Sequence, residues 1–148
     1  MKKLLIATGL VAAGALCFTL LPSNASAKVA KKAVTPDSAP DVELKDMQAI
    51  VKEKKAVIID ANGADTYAKN HIPGAISFAQ HEGKLASVLP ADKNTLIVAY
   101  CGGKMCSAWK DAAIEAGKLG YTNVKHFSSG IKGWLDAKQE TESVKKAS

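Results

Sequence analysis

Residues 96–107 read L-I-V-A-Y-C-G-G-K-M-C-S, an apolar run that stops at a cysteine and two glycines. The run is rich in β-branched and apolar residues and shows no alternation with polar ones. That pattern is typical of a central strand buried on both faces of a parallel sheet. We therefore predict a strand over 95–100, with Cys101 at its carboxyl end.

Shorter patterns on both sides of this strand predict the rest of one domain. Apolar runs indicate further strands at 56–59, 75–78 and 124–127, and helical spacing indicates helices near 41–55, 80–89, 107–118 and 131–139. Asp41 is the expected cap of the first helix. Strands that alternate with helices predict an α/β fold, with a parallel sheet covered by helices on both faces.

The amino terminus has the pattern of a targeting signal. Lys2 and Lys3 precede an uncharged apolar run over 4–21, and the small residues 25–27 form an A-x-A cleavage site. An uncleaved anchor is the alternative, because the run approaches the length of a spanning helix. We expect a signal peptide at 1–27, a flexible leader at 28–40, the domain at 41–139 and a frayed polar tail at 140–148.

These boundaries predict an exported, periplasmic protein with no stable membrane anchor after cleavage; a secreted or amino-terminally anchored protein is the alternative. The formal net charge of the whole chain is +6, and all 20 of its Lys+Arg residues are lysines. Aromatic residues make up 5%. Arginine and exposed aromatic rings are the usual means of binding phosphates and stacking bases. We therefore predict no nucleic-acid partner.

The segment after the central strand is the candidate site. In parallel sheets, ligands bind at the carboxyl ends of the strands, and Cys101 lies there. We expect Gly102 and Gly103 to let the backbone curl, so that successive N–H groups point at one spot. Those dipoles and the following helix should lower the pKa of a thiol at that spot. Lys104 adds a cation for an anionic substrate.

With these residues the chain resembles the rhodanese family of sulfurtransferases, in its single-domain exported form. The resemblance covers 42–134. It rests on V-I-I-D at 57–60, Y-A-K-N-H-I-P-G-A-I at 67–76, the segment 96–107, G-Y-T-N-V at 120–124 and G-I-K-G-W at 130–134. These segments stand in the family's order and at its spacing. The resemblance implies a rhodanese-like parallel sheet of about five strands with helices on both faces.

The resemblance also implies a reaction that needs no cofactor. Cys101 would take a sulfane sulfur from thiosulfate or a polysulfide and pass it to cyanide, a thiol or a sulfur-acceptor protein, through a covalent intermediate. The implied substrate-binding residues follow Cys101 in the loop: Gly102, Gly103, Lys104, Met105, Cys106 and Ser107. Asp60 and His71 are expected to support the site, Asp60 by fixing neighbouring backbone or His71, and His71 by fixing its loop. We expect no metal site.

Two positions depart from the family pattern. The chain has Asp60-Ala61-Asn62 where members usually have Asp-x-Arg, and Lys104 where the loop often has glycine. The ion pair made by the arginine is therefore absent. We expect a modest affinity for thiosulfate.

The same residues also fit other functions. Cys101 and Cys106, with Met105, could make a non-catalytic sulfur carrier, a carrier of a soft ion such as Cu(I), or a thiol redox protein. A phosphatase or arsenate reductase of the same architecture would have a loop one residue longer, ending in an arginine; Ser107 stands in that place. Cys106 is either a resolving thiol that pairs reversibly with Cys101 or simply a small residue at the helix start.

Overall fold

A computed structural model describes residues 39–144. The signal peptide predicted at 1–27 lies outside the described residues, as do 28–38 of the leader and 145–148 of the tail. Within the described part of the chain, no helix is both long and apolar enough to cross a membrane.

Strands and helices alternate, as the sequence predicts. The elements are α1 (Leu44–Glu53), β1 (Val57–Asp60), α2 (Ala64–Lys69), β2 (Ile76–Ser77), α3 (Phe78–His81), a 3-10 turn (Leu85–Ser87), β3 (Ile97–Tyr100), α4 (Trp109–Lys118), β4 (Val124–His126) and α5 (Gly130–Asp136). All strand pairs are parallel, in the order β2-β1-β3-β4. The predicted α/β class and parallel sheet are confirmed.

The sheet of the described residues has four strands, where about five were expected. A fifth strand begins but does not continue. Asp41 forms an isolated parallel bridge with His126 at the edge of β4. Helix α1 starts at Leu44, so the chain turns away after one bridge.

Strand β3 is buried along its whole length, and its side chains divide the core into two parts. Ile97 and Ala99 belong to one hydrophobic cluster, together with the buried face of α4. Val98 and Tyr100 belong to the other, with side chains from α1 and α5. Helices therefore cover both faces of the sheet, as a parallel sheet requires.

Two local expectations were wrong. Asp41 does not cap α1; its carboxylate accepts hydrogen bonds from the backbone N–H and hydroxyl of Ser128, at 2.9 and 2.6 Å. The helix expected over 80–89 is interrupted by a turn, because Glu82 leaves the helical conformation with a ψ of 129° and Gly83 follows with a φ of +70°.

The tail was expected to fray from residue 140, and for 140–144 this is wrong. Glu142 and His71 exchange two backbone hydrogen bonds of 2.9 Å each, and the N–H of Val144 donates to the carbonyl of Ala68 at 3.0 Å. The indole of Trp134 donates to the carbonyl of Glu140 at 2.7 Å. The tail therefore supplies hydrogen-bond partners for the backbone of Ala68 and His71, which buried backbone groups require.

Candidate functional site

The site is organised around Cys101, which follows the last residue of β3. Its position at the carboxyl end of a central parallel strand is the one at which ligands bind in such sheets. Cys101 is 1% exposed and belongs to the cluster beneath α4. The loop that begins with Cys101 runs to α4, which starts at Trp109, two residues later than expected.

A disulfide joins Cys101 to Cys106 and closes this loop, with the two Cα atoms 6.2 Å apart. That separation lies within the usual range of about 4.4 to 6.8 Å for a disulfide. A 2.9 Å hydrogen bond from the N–H of Cys106 to the carbonyl of Gly103 forms a turn inside the loop. The curled shape expected from the sequence therefore brings the first and last side chains together.

The loop is held from the side by the start of α5. The carbonyl of Cys101 accepts the N–H of Ile131 at 2.9 Å, and the carbonyl of Gly102 accepts the N–H of Lys132 at 3.1 Å. These bonds fix two loop carbonyls against α5. They also satisfy amide groups at the N-terminal end of that helix, which have no partner within the helix itself.

Unlike these carbonyls, most backbone N–H groups of the loop have no hydrogen-bond partner among the described residues. Within residues 39–144, the backbone N–H groups of Gly102, Gly103, Lys104 and Met105 have no hydrogen-bond acceptor. Successive unpaired amides can stabilise an anion. The loop can therefore offer backbone donors to an anion.

The glycine that this arrangement requires is Gly130 at the start of α5, which was not among the predicted site residues. It has a φ of +59°, and a Cβ there would lie 2.6 Å from the nitrogen of Gly103 and still closer to the carbonyl oxygen of Cys101. Gly102 and Gly103 have no positive φ, and a Cβ at either would make ordinary contacts. The conformational freedom expected of the two loop glycines is therefore not used. The G-I-K-G-W segment was the available signal.

Asp60 supports the residue that precedes the candidate cysteine. Its carboxylate is fully buried and accepts the hydroxyl of Tyr100 at 2.6 Å. That hydroxyl in turn accepts the backbone N–H of Ile72 at 2.9 Å. Burial, together with the charge of Asp60, raises the pKa of Tyr100 far above its usual range. The phenol therefore stays neutral and donates a hydrogen bond to Asp60.

The second oxygen of Asp60 holds Asn62, the residue that stands in the place of the family's arginine. It accepts both the backbone N–H and the side-chain amide of Asn62, at 2.7 and 2.6 Å. The amide oxygen of Asn62 would be 3.7 Å from a Cβ on Gly102. Asp60 thus fixes neighbouring backbone and an uncharged side chain next to the loop; these partners do not include His71.

His71 is buried away from the loop. Its Nδ1 lies 2.7 Å from the carbonyl oxygen of Tyr67, and its ring stacks on the ring of Tyr67 with centroids 3.9 Å apart. Its Nε2 lies 3.7 Å from a carboxylate oxygen of Glu142. These partners belong to the segment before β2 and to the tail. The structure does not bring His71 together with the residues of the 101–106 loop.

An open depression of about 420 Å³ lies over the loop, lined by Gly102, Gly103, Lys104, Met105, Cys106 and Lys132. Lys104 and Ser107 are exposed, and Met105 is 99% exposed. Lys132 was not among the predicted site residues, because it is distant from Cys101 in the chain and reaches the loop through α5. Its ammonium lies 2.6 Å from the carboxylate of Asp136, so its charge is partly neutralised.

The disulfide form of the chain has few side chains in place for metal binding among residues 39–144. Across residues 39–144 no group of three or more His, Cys, Asp and Glu side chains is placed to hold a metal ion. The sulfur atoms of Cys101 and Cys106 are bonded to each other, and a thiolate is the form of cysteine that ligates metals. Binding of Cu(I) by this pair therefore requires the reduced chain.

Comparison with known proteins gives the family and the fold. Residues 43–137 match the Rhodanese-like domain family. The BH2092 protein of Bacillus halodurans is 26% identical, with a TM-score of 0.62 over 72% of this chain and 78% of that one. A thiosulfate sulfurtransferase of Pseudomonas aeruginosa is 29% identical, with a TM-score of 0.56 over 72% of this chain and 21% of that one.

The chain thus spans about a fifth of that sulfurtransferase. A rhodanese-like domain of an Anabaena protein shares the fold at 18% identity, with a TM-score of 0.54 over 74% of this chain and 83% of that one. No curated protein matches the chain significantly. Because the family match spans more than half of the sequence, the chain belongs to the family of rhodanese-like domains.

Proposed function

We propose that the reduced chain is a sulfurtransferase that carries a sulfane sulfur as a persulfide on Cys101. One observation carries the proposal: Cys101 directly follows the central strand and opens a loop in which four consecutive amides have no acceptor among the described residues. Family membership supports it, and so does the 29% identity to a thiosulfate sulfurtransferase.

The first half of the reaction loads the cysteine. The Cys101 thiolate attacks the sulfane sulfur of thiosulfate, the sulfur–sulfur bond of the donor breaks, and sulfite leaves with the electron pair. Polysulfide reacts in the same way and loses a shorter polysulfide. The unpaired amides of the loop stabilise the anionic sulfur without reorganisation. No proton has to move in this step.

The second half returns the cysteine to its starting state. Cyanide or a thiol attacks the outer sulfur, the persulfide bond breaks, and Cys101 leaves as a thiolate. The thiol can be small or can belong to a sulfur-acceptor protein, because the loop lies at the surface and its Met105 is 99% exposed.

The two lysines at the depression have unequal parts in this proposal. Lys104 is exposed on the loop and attracts an anionic donor towards the cysteine. Lys132 contributes less, because Asp136 pairs with its ammonium. Asp60 acts further away, as a positioning residue that fixes Tyr100 just before the cysteine.

The test is steady thiocyanate formation from thiosulfate and cyanide, measured on protein that has first been reduced. Wild type and Cys106→Ser should turn over, and Cys101→Ser should not. A protein that takes up one sulfur and releases it without repeated turnover would be a carrier, and the enzymatic proposal would be wrong. Activity that survives in Cys101→Ser would refute the role of this cysteine.

The disulfide favours thiol redox chemistry as a second function of the same site. In this reading Cys106 protects or inactivates Cys101 by pairing with it, and reductant restores activity. Mild oxidation should then cost wild type more reductant-recoverable activity than it costs Cys106→Ser. Equal losses in the two proteins would leave the disulfide without a regulatory part.

We also propose that the chain is exported to the periplasm. A disulfide persists in an oxidising compartment and is rare in the cytosol. Amino-terminal sequencing of protein from the periplasmic fraction should begin at Lys28. Recovery of the uncut chain from the membrane fraction would favour the anchored alternative.

A further inference from the structure

The two sulfur atoms of the disulfide are not equivalent. Cys101 is 1% exposed and lies at the foot of the loop, where the start of α5 binds its carbonyl. Cys106 is half-buried and lines the open depression over the loop. A small nucleophile that enters this depression therefore reaches Cys106 before Cys101.

The stability of the leaving thiolate also favours attack on Cys106. In thiol–disulfide exchange, the sulfur that is the more stable thiolate leaves faster. Cys101 stands beside the unpaired amides of residues 102–105, which stabilise a thiolate. Attack on Cys106 releases Cys101 as that thiolate. Access and leaving-group stability thus both favour attack on Cys106 with release of Cys101.

We infer that the disulfide is itself a place where sulfur is taken up, and that hydrosulfide is its substrate. The inference rests on the proposed function, because the sulfur taken up is then carried as sulfane sulfur. Hydrosulfide is small enough for the depression, and its charge suits a depression lined by Lys104 and Lys132. A larger thiol opens the same bond but leaves a mixed disulfide without a sulfane sulfur.

The step balances without another reactant. Hydrosulfide attacks Sγ of Cys106, a new sulfur–sulfur bond forms, and the bond between Cys106 and Cys101 breaks with its electron pair on Cys101. Hydrosulfide is oxidised by two electrons to sulfane sulfur, and the disulfide is reduced by two electrons. The hydrosulfide proton stays on the outer sulfur or passes to water.

The sulfur then moves to the site used by the sulfurtransferase reaction. The Cys101 thiolate attacks the outer sulfur of the Cys106 persulfide, and Cys106 leaves as a thiolate, with no net oxidation. The loop holds the two cysteines close enough for this transfer, since their Cα atoms are 6.2 Å apart. Each disulfide takes up one sulfide, so the oxidised chain gives a single turnover.

The experiment uses the oxidised full chain, sodium sulfide without oxygen, and no thiosulfate. After unbound sulfide is removed and cyanide is added, wild type should release close to one thiocyanate per disulfide and acquire two free thiols. Cys106→Ser cannot form the disulfide and should release none, and reduced wild type, which keeps both cysteines but has no disulfide, should release none either. Glutathione in place of sulfide should give a mixed disulfide on Cys106.

The outcomes separate this inference from the proposed function. If oxidised wild type releases no thiocyanate after sulfide while the reduced protein turns over thiosulfate, the inference is wrong and the sulfurtransferase stands. If Cys106→Ser releases as much as wild type, the sulfur came from polysulfide through Cys101, and the inference is again wrong. A glutathione adduct on Cys101 overturns the order of attack. If neither sulfide nor thiosulfate loads wild type, both proposals fail.

Discussion

The loop from Cys101 to Cys106 and the segment around His71 both carry family motifs, but the polar groups of the segment are paired and the backbone N–H groups of the loop are largely unpaired among the described residues. His71 is 5% exposed, and both its ring and its backbone have partners in the segment before β2 or in the tail. The loop has Met105 99% exposed and four amides without an acceptor in the described part of the chain.

This difference indicates that one motif stabilises the fold and the other serves a ligand. Donors that are paired internally contribute to stability, because an unpaired buried group would cost free energy. Donors that are left unpaired at a surface contribute little to stability and are available to a ligand. We therefore expect changes in the loop to alter activity and changes around His71 to alter stability.

The largest effect is expected where the loop is held against α5. Gly130→Ala would place a methyl group against the carbonyl of Cys101, in a backbone conformation with positive φ. We expect the loop to shift, with a loss of sulfurtransferase rate of about 100-fold, as small misplacements in active sites can cause. The measurement is thiocyanate formation by folded protein.

Gly63→Ala is the matched control, since a Cβ at Gly63 meets nothing within 4 Å and its φ is −62°. The control should keep the wild-type rate. A fully active Gly130→Ala would show that the loop does not depend on its contact with α5.

His71→Ala should act on stability instead. The change removes the hydrogen bond to the carbonyl of Tyr67 and the stacking on its ring. We expect the free energy of unfolding to fall by about 1 to 3 kcal/mol. The thiocyanate rate of the folded fraction should stay near that of wild type. Denaturant unfolding and the assay, run on the same samples, check both parts.

His81→Ala is the control, because His81 has a similar bond to the carbonyl of Ser77 but is less buried, so a smaller loss is expected. A His71→Ala protein of wild-type stability and low activity would contradict the structural role of His71, since it would place His71 in the reaction.

A smaller effect is expected at Lys104. Lys104→Ala should raise KM for dianionic thiosulfate by about two- to fivefold, the size expected of an exposed charge interaction. KM for a neutral persulfide donor should change less, and kcat should be nearly unchanged, because uniform binding is lost. Lys118→Ala removes the same charge at the far end of α4 and should change neither value. Equal effects on both donors would show that Lys104 shapes the loop.

The smallest effect concerns His126, which stacks on Trp109 just after the loop. Burial lowers the pKa of His126, and the nearby charge of Asp41 opposes this in part. The unfolded chain therefore binds a proton more readily than the folded one, so stability increases with pH. The free energy of unfolding should fall as pH drops below the unfolded value of about 6.5. His126→Gln should weaken that dependence; an unchanged pH profile would contradict it.

Sequence patterns predicted the parts of the structure that depend on local order. The unbroken apolar run of 97–100 predicts a buried strand, and a strand end before two glycines predicts a loop at the carboxyl edge. The family segments add the parallel arrangement. Gly83 was a local signal that was overlooked, because the turn at Glu82 and Gly83 interrupts the helix expected over 80–89.

The remaining features depend on contacts between distant parts of the chain. Gly130 needs to be glycine because α5 packs against Cys101, about thirty positions away. Lys132 reaches the loop by the same contact. The tail binds the backbone of His71 from a still greater distance. Periodicity does not encode such pairings, and whether Cys106 pairs with Cys101 depended on how tightly the loop curls.

The central claim is that Cys101 carries the transferred sulfur. The most direct test is the intact mass of the reduced full chain after incubation with thiosulfate and removal of the excess. We predict a gain of one sulfur atom in wild type and in Cys106→Ser, lost again on addition of cyanide, and no gain in Cys101→Ser. A gain of one sulfur in Cys101→Ser, or none in reduced wild type, would contradict the account.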